Sequence, residues 1–162
     1  MAELDGAFRI GIMVTDSEHL PFLKRTFALA ELSQAEGNHP FGALLVLDGK
    51  VVSEAQNTAC SEDCTGHAEL NLVKDIDSLS QELKSRTILY TSTEPCLMCA
   101  GAIYWAGIRT IVFSVPAARL FEHTGYGVNI SCRELFSHSD EKVKIVGPLL
   151  EEEGFTLHRD FW

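Results

Sequence analysis

The sequence predicts a three-layer α/β fold, a mixed sheet with helices on both faces, and three observations carry that expectation. Near-helical spacing of apolar residues alternates with short β-rich runs in the order helix, strand, strand, helix, strand, helix, strand. Such an order packs helices on both faces of a sheet, and right-handed crossovers make the later strands parallel. The first two strand runs flank Asp48-Gly49, a dipeptide favoured in tight hairpin turns. At 162 residues, without a repeat, linker or low-complexity tract, the chain reads as one domain.

Taken in order, residues 17–36 carry Leu20, Leu23, Phe27, Ala30 and Leu32 at helical spacing, with Asp16 or Ser17 as the N-cap and Gly37-Asn38 as the stop. FGALLVL and KVVSEA form the hairpin. Helix is expected again over 67–79, and TILYTS is the next strand. CLMCAGAIYWAG is rich in helix formers and closes on Gly107, after which RTIVFSV makes a further strand. Residues 117–139 lack a clean period and read as loop plus a short helix. KVKIVG is the last strand, and 148–161 the last helix, with Pro148 at its start. Residues 16–115 support the domain best.

Composition narrows the partners. A hydrophobic share of 46% with 22% charged residues is that of an ordinary globular protein, and no apolar run nears the roughly 18 residues of a spanning helix. Glu3 and Asp5 stand where a secretion signal would carry Lys or Arg, and five cysteines are an odd number for a disulfide framework. A cytoplasmic protein is expected. The net charge of -10, with scattered Lys and Arg and an acidic run at 151–153, argues against tight nucleic-acid binding. A small neutral or cationic ligand suits that surface better.

Two clusters carry chemistry: His67-Ala68-Glu69 and Pro95-Cys96-Leu97-Met98-Cys99. Each lies where a strand or loop feeds a helix. Cysteines at a helix N-terminus meet the positive end of its dipole, which favours the thiolate that zinc requires. Two thiolates one turn apart and an imidazole from the neighbouring helix make three ligands, leaving a fourth position open for water. That is the arrangement of a catalytic site. Glu69 lies near enough to take a proton from the water without being a ligand.

The H-x-E and P-C-x-x-C pairing is the signature of zinc deaminases. HPFGALLV, HAEL and TSTEPCLMCAGAIYWAGI together resemble the cytidine-deaminase-like superfamily, and within it the guanine deaminase and bacterial nucleoside deaminase branch, over roughly residues 20–115. The resemblance implies a five-stranded sheet, one zinc per chain held by His67, Cys96 and Cys99, Glu69 as the proton shuttle, and a homodimer. It places Asn57 on the base, Phe41 in the pocket wall and Ala68 with a backbone group at the substrate edge. It also implies an acidic base-reading residue near Glu122 and a tail, with Phe161, over the pocket. The expected reaction is hydrolytic deamination of a free nucleobase or nucleoside, guanine-type first, ahead of a cytosine- or isocytosine-type base and of adenosine in tRNA.

Plainer readings stand beside these. Cys60 and Cys64 could join Cys96 and Cys99 in a closed zinc site, making the chain a non-catalytic module, though that leaves His67 and Glu69 without a role. Asn57 could serve a turn. Tyr104 and Trp105 read as core or dimer-face aromatics, or as pocket residues. Phe161 and Trp162 could simply pack against the core.

Overall fold

The computed structural model describes residues 15–162, so the segment bearing Glu3 and Asp5 lies outside the described residues. A five-stranded sheet has the order β2-β1-β3-β4-β5, built from β1 (Gly42–Leu47), β2 (Lys50–Gln56), β3 (Ile88–Thr93), β4 (Thr110–Val115) and β5 (Lys144–Val146). β2 and β3 both run antiparallel to β1, whereas β3, β4 and β5 are parallel, as a hairpin followed by crossover helices requires. Asp48 and Gly49 both take positive φ, 51° and 77°, so the hairpin turns where expected.

Side-chain alternation divides the core into two layers. Ala43, Leu45, Leu89 and Ile111 face one way, where they meet Ala68 and Leu72 of α2 (Ala68–Val73) and Ile103 of α4 (Leu97–Trp105). Leu44, Val46, Tyr90 and Val112 face the other way and meet Leu23 of α1 (Asp16–Ala35). Phe27 and Ala30 of α1 continue that layer onto Leu157 of α7 (Glu151–Arg159). The approach of α1 to the sheet is close: a Cβ on Gly42 would stand 2.3 Å from the Thr26 carbonyl oxygen.

The structure differs from the expectations in five places. Thr15 caps α1 rather than Asp16 or Ser17, because Glu18 returns its carboxylate to the Thr15 N–H at 2.6 Å. Leu32 is exposed, on the outer side of that helix. The helix expected over 67–79 leaves α geometry after Val73, continues as 3₁₀ turns to Ser78, and is followed by α3 (Gln81–Arg86). The stretch 117–139 holds two helices, α5 (Ala117–Thr124) and α6 (Cys132–Phe136). The last helix starts at Glu151 behind a Leu150 cap, leaving Pro148 in the irregular segment before it. None of the helices among the described residues is long and apolar enough to cross a membrane.

Candidate functional site

Two helix starts converge at one end of the sheet. His67 is the N-cap of α2 and Cys96 the N-cap of α4, with Cys99 in the first turn of the latter. His67 Nδ1 lies 3.6 Å from Cys96 Sγ and 3.5 Å from Cys99 Sγ, and the ligand atoms of all three fall within 4.8 Å of one another. Among the described residues no other such group of His, Cys, Asp and Glu forms. Cys60 and Cys64 are exposed on the loop before α2 and stay outside it, which disposes of the closed four-cysteine arrangement.

The donors compete for few protons. A hydrogen bond from Cys99 is the main reason the Cys96 thiol falls to about 4, with His67 adding to the effect, and the same pairing together with burial pushes the Cys99 thiol up. The Cys96 sulfur in turn raises the His67 imidazole. Thiolate and imidazole donors crowded in this way are relieved by a divalent cation that takes the place of the shared protons, and two sulfurs with one nitrogen suit zinc.

Glu69 is buried beside the cluster. Desolvation raises its carboxyl above the usual range, opposed by the hydrogen bond that Thr91 Oγ1 gives to Oε1 at 2.5 Å. His67, Cys96 and Glu69 open onto a cavity of about 300 Å³, whose other walls include Phe41, Asn57 and Trp162. Asn57 Oδ1 accepts from the Ala59 N–H at 2.9 Å, so the turn role is real, but Nδ2 has no acceptor among the described residues. Phe41 lies against His158 with ring centroids 5.2 Å apart.

Four expected site residues are placed elsewhere. Ala68 is fully buried in the core layer between α2 and the sheet and does not line the cavity. Glu122 points to solvent from α5, whose cavity-facing residues are Ala117, Leu120, Phe121 and Thr124. Trp105, 87% exposed at the end of α4, is in neither the pocket nor the core. Phe161 packs on His39 and Trp162, and it is Trp162 that reaches the cavity.

Sequence reasoning passed over His39, Thr93 and Glu94, which also line the cavity. Glu94 was legible as the acidic residue before Pro95-Cys96. Its Oε2 accepts from Ala117 N at 3.0 Å and its Oε1 from Cys132 N at 2.8 Å, so one carboxylate caps the starts of both α5 and α6. Thr93 and His39 carry no local signal.

Comparison with known proteins agrees with this geometry. A probable cytosine deaminase of Schizosaccharomyces pombe is 34% identical over 149 residues, covering 88% of this chain and 91% of that protein. The guanine deaminase of Bacillus subtilis is 42% identical over 127 residues, covering 76% and 81%. A solved structure of a tRNA:A34 deaminase, from work on A-to-I editing at the wobble position, superposes with a TM-score of 0.71 at 28% identity, covering 85% of this chain and 99% of that one. Residues 16–115 match the model of the cytidine and deoxycytidylate deaminase zinc-binding region, and with that match the chain belongs to this family of zinc-type deaminases.

Proposed function

We propose that the protein is a zinc-dependent hydrolytic deaminase, with one zinc per chain, that releases ammonia from a free nucleobase or nucleoside, guanine-type substrates first. The observation that carries this is the cavity: it joins Glu69 and the His67/Cys96 side to aromatic walls, and among the described residues no Lys or Arg lines it. Its volume of about 300 Å³ lies at the small end of ligand pockets, about 300–1,000 Å³. Such walls suit a flat heterocycle, and among the described residues they offer a phosphate no ammonium or guanidinium group. A net charge of -10 supports the same choice against tRNA.

His67, Cys96 and Cys99 would hold the zinc, which when bound supplies a Lewis acid that lowers the pKa of water. Glu69, with its raised carboxyl, takes a proton from the water and delivers protons to the ring nitrogen and the leaving amine. Asn57 Nδ2 is free to donate to the base, and Phe41 stacks on it. Guanine comes first because of the 42% identity to the guanine deaminase; cytosine comes second, on 34% identity to the cytosine deaminase relative over 88% of the chain.

Ammonia release from guanine, cytosine, isocytosine, adenine, their nucleosides and a tRNA anticodon stem-loop tests the assignment. Turnover of a free base or nucleoside is expected, nearly constant between about 50 and 200 mM salt. Steeply salt-dependent turnover of the stem-loop alone would overturn the substrate class and leave the zinc chemistry standing. We also propose a cytoplasmic homodimer. Leu97, Met98 and Trp105 give α4 an exposed apolar face, and a sedimentation profile that Trp105→Glu shifts from dimer to monomer supports that assembly.

A further inference from the structure

His158, fully buried on α7, uses both ring nitrogens. Nε2 lies 2.8 Å from Thr93 Oγ1, and Trp162 Nε1 lies 3.4 Å from Nδ1. Chemistry fixes the direction of each contact. An indole nitrogen can only donate, so His158 Nδ1 is the acceptor. Burial lowers the imidazole pKa to about 4, so at neutral pH it carries a single proton, and that proton must be on Nε2. Nε2–H therefore donates to the Thr93 hydroxyl. The hydroxyl's own proton has no acceptor among the described residues, and Thr93 lines the cavity.

We propose that Thr93 is a substrate contact: its hydroxyl proton, directed into the cavity by Trp162 and His158, hydrogen-bonds a carbonyl oxygen or unprotonated ring nitrogen of the base. Thr93 is the last residue of β3, held in register against Val115, so the donor rests on the rigid sheet rather than on a loop. With Asn57 Nδ2, the cavity presents two donors that lack protein acceptors, which selects a heterocycle edge bearing acceptors. Trp162 then does more than cover the site. Its N–H fixes which way the Thr93 hydroxyl points, so Trp162 and His158 are positioning residues. The substrate contact rests on the nucleobase reading of the cavity; the proton order along Trp162, His158 and Thr93 does not.

Two measurements test it. The ¹⁵N resonances of the His158 imidazole in labelled protein should show the Nε2–H tautomer alone, and Trp162→Phe, which keeps an aromatic ring and removes the donor, should admit the second tautomer. An Nδ1–H tautomer in the wild type would overturn the proposal whatever the substrate. In kinetics on the base that the wild type turns over best, Thr93→Val should lower kcat/KM by about tenfold, the scale of one lost hydrogen bond, and Thr93→Ser should restore most of it. Trp162→Phe should weaken kcat/KM more in the wild type than in Thr93→Val. Unchanged kcat/KM in a folded Thr93→Val overturns the contact and leaves the deaminase reading intact; equal effects of Trp162→Phe in the two backgrounds overturn the coupling. If the wild type turns over no base at all, the contact falls with the nucleobase reading, and the spectrum alone decides the proton order.

Discussion

Thr91 Oγ1 lies 2.5 Å from Glu69 Oε1 and 3.0 Å from the Thr93 carbonyl oxygen, so one hydroxyl has two acceptors in reach. Removing the Glu69 carboxyl therefore leaves Thr91 satisfied, and Glu69→Ala is expected to fold and keep its zinc. Turnover should drop by at least about 10²-fold, the lower range for a lost general acid/base. Near-normal ammonia release with full metal content would end the proton-shuttle assignment.

Metal content separates four of the five cysteines. His67→Ala, Cys96→Ser and Cys99→Ser should each lose most of the zinc measured by mass spectrometry, since three protein ligands are the usual minimum at a catalytic site. Cys60 and Cys64 are exposed and outside the ligand group, so changing both to Ser should leave zinc and turnover largely intact. Loss of zinc from that double variant would contradict the three-ligand site.

Acid should act through His158. Desolvation holds its folded-state pKa at about 4, below the unfolded value of about 6.5, so between those limits the unfolded chain binds the extra proton and the fold does not. The neutral ring's contribution is present above pH 6.5, declines as pH falls, and is gone near pH 4, for a loss of roughly 3 kcal/mol. Denaturant melts from pH 7 to 4 should show that decline, and a folded His158→Gln variant should show a shallower one. Parallel curves would rule His158 out as a source of acid sensitivity.

Gly42 sets the distance between α1 and the sheet. With the Thr26 carbonyl oxygen 2.3 Å from an added Cβ and Leu29 Cβ at 2.6 Å, the obstruction includes backbone and cannot rotate away. Gly42→Ala should therefore cost about 1–3 kcal/mol, the range for overpacked cores, read as a lower unfolding midpoint. An unchanged midpoint would mean that α1 shifts freely.

The sheet, the hairpin and both motif-bearing helices were legible because their signals are local: the short apolar run of β1, Asp48-Gly49 at the turn, and cysteines one turn apart. What escaped depends on partners far along the chain. α3 is built from QELKSR and buries nothing, so it has no apolar stripe to detect. α5 turns Leu120 and Phe121 toward the cavity rather than the core, and its start is capped by Glu94 from another strand end. The substrate wall was harder still. Resemblance pointed to Phe161 and Glu122, but the cavity takes Trp162 and the face of α5 carrying Thr124.

The double cap made by Glu94 divides the protein into a part that must keep its geometry and a part free to change. One carboxylate pins the first residues of α5 and α6 to the end of β3, directly before the cysteines, while residues 125–131 between those helices hang from the two fixed points. Doubling the length of such a span costs only about 0.6 kcal/mol in closure entropy. That span can therefore lengthen, shorten or be rewritten, and with it the wall that Tyr126 and Val128 give to the cavity, while His67, Cys96 and Cys99 stay in place. One wall of the cavity can be exchanged as a loop while the His67, Cys96 and Cys99 corner keeps its shape.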